Sequence, residues 1–318
     1  MKTPIKLEPV FKEIVWGGNR LKTDYGFKSD LNNIAEAWLL CAREDGDNNI
    51  ANGPFKGQSF TEFVKANKAV LGTKGAKYEE FPLLIKFIDA KADLSVQVHP
   101  DDTYALENEG EFGKTEMWYV VDCKPGAKLA YGFKKNIDKA EFEKRIKDNT
   151  LDEVINYVHV SKGDVFFIDA GTLHAIGEGI LIAEVQQNSN TTYRVSDYGR
   201  LGADGKPREL HIDKALDVTK CEKPQIPYGN IGKVISNGNN IIRELAVCDK
   251  FSAKLLNLNE PMDIYSSDSF ISLIVLDGNA IIKWNDGEIN ANKGDSIFVP
   301  ANFKAEIKGK AEILYSHI

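Results

Sequence analysis

The sequence predicts a mainly β protein of antiparallel strands, and three observations support this fold class. Short apolar or alternating runs recur along the chain, turns rich in Gly, Asp and Asn separate them, and helical periodicity is confined to a few places. Many short strands divided by such turns are typical of an antiparallel sandwich or barrel. We therefore expect a β scaffold that carries a few helical insertions.

The predicted strands alternate or are rich in β-branched residues, as half-buried strands are. They cover residues 83–88, 94–99, 117–121, 165–168, 181–185, 271–276, 280–284 and 296–299. Helical spacing predicts helices over residues 60–70 and 138–157. In the second of these, Asp138 and Glu141 stand at the spacing of a capping box, which favours a helix start there.

One segment of the chain is echoed later in the sequence. Residues 162–174 read KGDVFFIDAGTLH, and residues 293–305, displaced by 131 positions, read KGDSIFVPANFKA. Two related β-barrels would explain this repeat. Ala305 stands where the first copy has His174, so we expect one active barrel and one structural barrel.

The join between the two barrels is predicted within residues 220–230, where two prolines and a glycine interrupt the chain. This divides the protein into a catalytic domain over residues 1–225 and a smaller, metal-free β-barrel over residues 226–318.

Composition limits the classes of function. With 318 residues, 42% of them hydrophobic, the chain is long enough to bury a sizeable core. Its formal net charge of -7 argues against a nucleic-acid or anionic-membrane partner, because both need a basic surface. The sequence has neither a run of about 20 apolar residues nor the pattern of a signal peptide. We expect a soluble cytoplasmic protein that acts on a small molecule.

The four cysteines lie far apart and form no CxxC pair. In a cytoplasmic protein such cysteines are most simply reduced thiols, and a thiolate metal site has little support.

Four side chains stand in contexts that suit a metal ion. Gln97 and His99 point to the same face of one predicted strand, Glu116 begins the next apolar strand, and His174 follows a glycine turn. Amide oxygen, imidazole and carboxylate are all metal ligands, and strands that line a barrel can bring them together. Taken singly, a strand histidine is also explained as a hydrogen-bonded core residue, and Glu116 as a solvated one.

The segment GDVFFIDAGTLHAIGE at residues 163–178 resembles the second motif of the cupin superfamily. Asp169 and Glu178 depart from that motif, which has proline and asparagine at these places. The residues that match its spacing are Gly163, Gly171 and His174.

Within that superfamily, the chain resembles the type I mannose-6-phosphate isomerases of the short bacterial form. The resemblance covers most of residues 1–220, and the C-terminal hundred residues contribute much less. The segments that carry it are WGG at 16–18, IAEAWLL at 34–40, FPLLIKFIDAKADLSVQVHPDD at 81–102, GKTEMWYV at 113–120 and AGTLHAIGEGILIAEVQQNSNTTYRVSDYGR at 170–200.

The resemblance implies a cupin (jelly-roll) catalytic barrel with helical insertions, followed by a smaller cupin-like β domain. It also implies interconversion of mannose 6-phosphate and fructose 6-phosphate through an enediol. One Zn²⁺ per chain would be bound, and its single anionic ligand would leave the ion a strong Lewis acid. The zinc ligands implied by the resemblance are Gln97, His99, Glu116 and His174.

Further site residues follow from the same resemblance. Arg194 matches the arginine that the family regards as catalytic, and its planar fork suits a phosphate or a developing enediolate. The alternative for Arg194 is a surface ion pair with Asp197. Lys86 and Lys114 match lysines near the substrate pocket, so we expect both to bind phosphate or sugar hydroxyls. The alternative for each is a salt bridge at an edge strand or rim.

The identity of the catalytic base stays open in the sequence. Glu184 lies on an apolar strand leading toward Arg194 and is a candidate for the base, for a partner of a zinc histidine, or for a ligand of sugar hydroxyls. Zinc-bound hydroxide is a further candidate.

Two functions from other classes also remain open. A metal-dependent oxygenase would share the fold but typically uses more histidines, and a sugar sensor would bind without catalysis. We expect a monomer or weak homodimer.

Overall fold

A computed structural model describes residues 3–202 and 205–318 of the chain. These residues form antiparallel sheets with short helices between the strands, which confirms the predicted mainly β class. The strands are β1 (Ile5–Glu8), β2 (Val10–Lys12), β3 (Glu36–Leu40), β4 (Ala42–Arg43), β5 (Gly46–Asp47), β6 (Asn49–Ile50), β7 (Leu83–Asp89), β8 (Val96–Val98), β9 (Glu116–Cys123), β10 (Lys128–Phe133), β11 (Ile155–His159), β12 (Val165–Ile168), β13 (His174–Ala175), β14 (Ile180–Gln187), β15 (Tyr193–Ser196), β16 (Val234–Asn237), β17 (Asn240–Val247), β18 (Ser252–Leu258), β19 (Met262–Ile264), β20 (Ile271–Trp284), β21 (Gly287–Asn292), β22 (Ser296–Val299) and β23 (Ala305–His317).

The helices are short and lie in the connections between strands. They are α1 (Arg20–Thr23), α2 (Phe60–Ala66), α3 (Gly72–Gly75), α4 (Asp102–Asn108), α5 (Lys139–Lys147) and α6 (Ile212–Val218), with 3₁₀ turns at Gly53–Phe55, Lys68–Leu71 and Leu151–Glu153. Within the ranges that the structure describes, no helix has the length and apolar character needed to cross a bilayer.

Two sheets make the first barrel. A six-stranded sheet has the order β12-β9-β14-β7-β3-β2, and a five-stranded sheet has the order β11-β10-β13-β8-β15. Their facing apolar side chains form one core cluster, in which Trp118 and Ile182 of the larger sheet join Leu129 and Tyr131 of the smaller one. This core closes the barrel around the site described below.

The six-stranded sheet is covered on both faces. Every residue of β7 and of β14 is buried, because alternate side chains point into the barrel and the others pack outward. Ile85 and Phe87 of β7 lie in a cluster with Phe298 and Leu314 of the C-terminal region. Lys86 lies between these two outward-facing residues and therefore points to the barrel interior.

The second barrel is built on a ten-stranded sheet with the order β16-β17-β18-β23-β20-β22-β1-β6, to which β19 and β21 also pair. The N-terminal strand β1 belongs to this sheet, since Ile5 is paired with Phe298 and Leu7 with Ser296. The predicted division after residue 225 would therefore separate β1 and β6 from the sheet that they complete.

The sequence repeat has a structural counterpart. In both copies a glycine with positive φ, 92° at Gly163 and 90° at Gly294, opens a turn into a four-residue strand. The N–H of Gly163 donates to the Val120 carbonyl, and that of Gly294 donates to the Val275 carbonyl, each at 2.8 Å. The two Lys-Gly-Asp turns thus occupy equivalent places in the two barrels.

One predicted helix and one pair of predicted strands differ in the structure. The helix predicted over residues 138–157 starts correctly, with the Asp138 side chain accepting from the Glu141 N–H at 2.7 Å, but it ends at Lys147. Asn149 has a φ of 56°, which a helix cannot continue, and the β-branched run that follows pairs as β11 with β10. The strands predicted at 271–276 and 280–284 are one strand, β20, with an irregular register between Val275 and Asp277.

Candidate active site

The four predicted metal ligands converge inside the first barrel. Gln97 is the central residue of β8, His99 follows that strand directly, Glu116 begins β9 and His174 begins β13. Strand pairing places His174 directly opposite Gln97. The Gly171 N–H donates to the His99 carbonyl at 2.8 Å and holds the two ligand-bearing segments together.

The ligand atoms lie at distances that suit one small ion. His174 Nε2 is 3.5 Å from Glu116 Oε1, and His99 Nε2 is 3.7 Å from Glu116 Oε2. The Gln97 side chain presents its amide nitrogen to His174 Nε2 at 3.4 Å, so it would ligate through its oxygen after rotation of the terminal amide. Atoms about 2.1 Å from a tetrahedral ion would be roughly 3.4 Å apart. One atom from each of His99, Glu116 and His174 lies within 4.8 Å of the others, so these residues could hold a metal ion.

Each histidine is oriented by a backbone carbonyl. His99 Nδ1 donates to the Thr191 carbonyl at 2.9 Å, and His174 Nδ1 donates to the Thr172 carbonyl at 2.8 Å. With Nδ1 protonated, Nε2 of each ring is the free acceptor. Burial lowers the pKa of His174 to about 4 and the pKa of His99 well below its ordinary value, so both rings are neutral at neutral pH.

Glu116 carries the charge of this cluster. The residue is fully buried, and neither of its carboxylate oxygens accepts a hydrogen bond within the described residues. Lys114 Nζ lies 3.2 Å from Glu116 Oε2 and also 3.2 Å from His99 Nε2. Lys114 therefore compensates the charge at Oε2, whereas Oε1 has, among the residues that the structure describes, neither a hydrogen bond nor a lysine beside it. A buried oxygen without a partner is costly, and a metal ion would supply the partner that Oε1 lacks.

A polar cavity of about 300 Å³ opens beside this cluster. Its wall combines a few apolar side chains with charged and hydrogen-bonding groups from both sheets. The polar and charged lining residues are Glu36, Lys86, Ser95, Gln97, Lys114, Glu184, Asn190, Thr192, Arg194 and Arg208.

Lys86 lies in this cavity between two carboxylates, 3.2 Å from Glu184 Oε1 and 3.3 Å from Glu36 Oε2. Burial alone would lower the pKa of Lys86, but Glu184 and Glu36 outweigh it and raise the pKa, so the lysine stays charged. The indole N–H of Trp118 donates to Glu184 Oε2 at 2.7 Å. Burial, and then the charge of Glu116, raise the pKa of Glu184.

Arg194 lies on β15, next to β8, where its backbone is paired with Gln97. Tyr193 points to the opposite, apolar side of the strand and is buried in a core cluster, as the alternation predicted. The sequence offered Asp197 as an alternative ion-pair partner of Arg194. Asp197 instead accepts hydrogen bonds from the guanidinium groups of Arg200 and Arg208. Arg194 donates to the Glu209 carbonyl at 2.7 Å and lines the cavity.

The sequence reasoning missed two charged residues of the cavity, Glu36 and Arg208. Like Lys86, Glu36 is a single charged residue in an apolar run, here AEAWLL. This pattern could have identified Glu36 as a residue of the cavity. Arg208 follows an irregular loop, where no periodicity indicates which way a side chain points.

Comparisons with known proteins agree with this geometry. Residues 5–130 match the family model "Phosphomannose isomerase type I, catalytic domain", and residues 241–318 match "Mannose-6-phosphate isomerase, cupin domain". The chain is 36% identical to mannose-6-phosphate isomerase ManA of Bacillus subtilis over 99% of both chains. It is 34% identical to mannose-6-phosphate isomerase of Streptococcus mutans over 100% of this chain and 99% of that protein.

Solved structures show the same relationship. The crystal structure of mannose 6-phosphate isomerase from Bacillus subtilis is 36% identical, covers 100% of both chains and superposes with a TM-score of 0.92. The apo form of the enzyme from Salmonella typhimurium, at 18% identity, superposes with a TM-score of 0.78 and shares the fold. The predicted cupin fold is thereby confirmed, and the chain belongs to the type I mannose-6-phosphate isomerases.

Proposed function

We propose that the chain interconverts mannose 6-phosphate and fructose 6-phosphate through an enediol, with the help of one bound divalent metal ion. The observation that carries this proposal is the convergence of Gln97, His99, Glu116 and His174 beside a polar cavity. The cavity wall supplies both a carboxylate and fixed cations, which proton transfer next to a phosphorylated sugar requires.

The metal ion would be held by Gln97, His99, Glu116 and His174. Nitrogen and oxygen donors with a single anionic residue suit Zn²⁺, which we propose as the ion. Oε1 of Glu116, which accepts no hydrogen bond from the described part of the chain and lies away from Lys114, supports this assignment, since a metal ion would supply its missing partner. When bound, the ion would supply Lewis-acid polarisation of a substrate oxygen.

We assign the proton transfer to Glu184. Its carboxylate takes the proton from C2 of the aldose and delivers a proton to C1 of the enediol, while the hydroxyl proton of O2 is transferred to O1, so that the ketose has the same composition as the aldose. The same steps run backward for the ketose. Lys86 and Trp118 hold the two oxygens of Glu184 from different sides, so its position is fixed. The Lys86 ammonium also stabilises negative charge that develops on the neighbouring sugar oxygens.

The phosphate would bind at the end of the cavity formed by Arg194 and Arg208. Two guanidinium groups line this wall together with the hydroxyls of Ser95 and Thr192, and planar guanidinium groups suit bidentate phosphate contacts. Lys114, next to the metal cluster, would bind a sugar oxygen near the ion.

The test is isotope incorporation. Zinc-loaded protein is incubated with fructose 6-phosphate in heavy water, and aldose formation is followed by NMR with and without chelator. We expect mannose 6-phosphate that carries deuterium at C2 in the fraction of turnovers in which the proton on Glu184 exchanges with heavy water before delivery, and no aldose after chelation. A Glu184→Gln variant should keep its metal but lose about 10²–10⁴-fold in kcat, the range typical of a lost general base. Absence of aldose in the zinc-loaded sample would refute the proposal.

A further inference from the structure

Thr191 is the residue whose carbonyl orients His99, and each of its other polar groups is also bonded. The Thr191 N–H donates to Ser189 Oγ at 3.2 Å, and its hydroxyl donates to Glu111 Oε1 at 2.5 Å. Ser189 is fully buried. Thr191 is thus held from three sides, and the direction of its carbonyl toward His99 depends on these contacts.

Glu111 is itself held from outside the barrel. Its second oxygen, Oε2, lies 3.1 Å from Arg43 Nη1, and the same Arg43 nitrogen donates to the Asn188 carbonyl at 2.8 Å. Arg43 Nε donates to Asp45 Oδ1 at 2.8 Å, and Asp45 Oδ2 accepts from the Asn190 side chain at 3.0 Å.

Arg43, Asp45 and Glu111 therefore form a polar brace that contacts the 188–191 loop at its start, at Asn190 and at Thr191. We name these three residues the brace. The brace lies outside the proposed catalytic and ligand groups, and the 188–191 loop connects it to His99 through the Thr191 carbonyl.

We propose that the brace positions His99 for the metal ion and sets the affinity of the site. The proposal rests on the proposed function, since it takes His99 as a ligand. A carbonyl that accepts from Nδ1 fixes both the tautomer and the angle of the ring, so that Nε2 faces the other ligands. Partners of this kind typically change metal affinity by about 10–100-fold when they are lost.

The test compares matched variants at two places of the brace. Thr191→Val removes the hydroxyl with little change of shape, whereas Thr191→Ser keeps it. Glu111→Ala removes both contacts of that side chain, whereas Glu111→Gln keeps an acceptor for the Thr191 hydroxyl. Glu153→Gln, which breaks a surface ion pair with Arg145, is the control for a lost carboxylate elsewhere.

The readout is the dissociation constant for Zn²⁺, measured by competition with a chelating dye, and the absorption spectrum of the Co²⁺-substituted protein. We expect Thr191→Val and Glu111→Ala to weaken Zn²⁺ binding about 10-fold or more and to alter the Co²⁺ spectrum. Thr191→Ser, Glu111→Gln and the control should stay within about 3-fold of the unsubstituted protein. Circular dichroism melting of the metal-free proteins reports whether a variant is folded.

The outcomes separate this proposal from the proposed function. If the unsubstituted protein binds one Zn²⁺ tightly, while folded Thr191→Val and Glu111→Ala bind it equally well, the brace has no such role. If the unsubstituted protein binds no Zn²⁺ at the predicted residues, the proposed metal site itself is wrong.

Discussion

Lys86 and Glu184 are direct cross-strand partners in the interior of the first barrel, with Nζ 3.2 Å from Oε1. Both side chains are almost fully buried, and Glu36 approaches the same ammonium from the next strand. One buried cation therefore compensates two buried carboxylates at the floor of the cavity.

Replacing Lys86 by methionine should destabilise the protein and abolish catalysis. Removing one partner of a buried ion pair typically costs about 3–5 kcal/mol, because the other charge is left uncompensated. The uncompensated carboxyls would have raised pKa values in the folded state, so the loss of stability should grow as pH rises. Urea unfolding of metal-free protein at pH 5 and pH 8 checks this. Lys304→Met, which breaks an exposed pair with Asp263, should have little effect at either pH.

Replacing His174 by alanine should remove the metal and the activity together. His174 Nε2 lies at the centre of the ligand set, near both Gln97 and Glu116. We expect zinc content, measured by atomic emission after dialysis, to fall from about one per chain to near zero. Replacing His159, an exposed histidine at the end of β11, is the matched control. Full zinc occupancy in His174→Ala would contradict the ligand assignment.

Replacing Trp118 by phenylalanine should shift the pH dependence of catalysis. The indole donates to Glu184 Oε2, and loss of a donor to a carboxylate raises its pKa. Because a base must be ionised, the acidic limb of kcat/KM should move to higher pH. Trp284→Phe, in the second barrel, should leave the limb in place. An unmoved limb in Trp118→Phe would count against Glu184 as the base.

Asp197 should contribute stability that depends on pH. Burial would raise the pKa of Asp197, but hydrogen bonds from Arg208 and Arg200 outweigh burial and lower the pKa. A carboxyl with a lowered folded-state pKa stabilises the protein above its unfolded pKa of about 3.9, and this contribution is lost as pH falls through the folded-state value. Asp197→Asn should therefore cost about 1–3 kcal/mol at pH 7, with the difference shrinking in acid. Urea titrations of metal-free protein at pH 7 and pH 3 measure it, and an equal difference at both would contradict the assignment.

Replacing Leu7 by alanine should destabilise the whole molecule. Leu7 is 2% exposed and packs in the cluster shared by the two barrels, and burial of this kind typically makes a leucine-to-alanine change cost about 2–5 kcal/mol. Glu8→Ala, on the exposed side of the same strand, controls for changes in strand propensity. A single cooperative transition shifted to lower denaturant is the expected result. Two separate transitions with only one shifted would mean that the barrels unfold independently.

Much of the site could be predicted because strand alternation is a local property. Gln97 and His99 share a face for that reason, and Lys86 was visible as one charge in an apolar strand. Their meeting with Glu116 and His174 depends on pairing between strands far apart in sequence, which barrel geometry allowed and the family resemblance indicated specifically. The guanidinium group of Arg208 donates to Asp197, eleven residues earlier in the chain, and no local sequence pattern indicates that contact.

The fold was predictable to a similar degree. The turns, several strands and the cap at Asp138 follow from local chemistry. The end of α5 at Lys147 does not, because helical spacing alone does not reveal that Asn149 leaves the helical region or that β11 finds a partner in β10.

The pairing of Ile5 with Phe298 also bears on how the chain is made. Ile5–Glu8 precedes the strands of the first barrel in the chain, whereas Ser296–Val299 follows all of them, so the two paired strands are synthesised far apart in time. β6 is available early to pair with one edge of this strand, but the edge that faces Ser296–Val299 stays unpaired until that strand is made, and such exposed backbone invites association with other chains. Nascent protein should therefore depend on chaperones until Ser296–Val299 has been synthesised, and termination before that strand should yield aggregates rather than a working half-molecule.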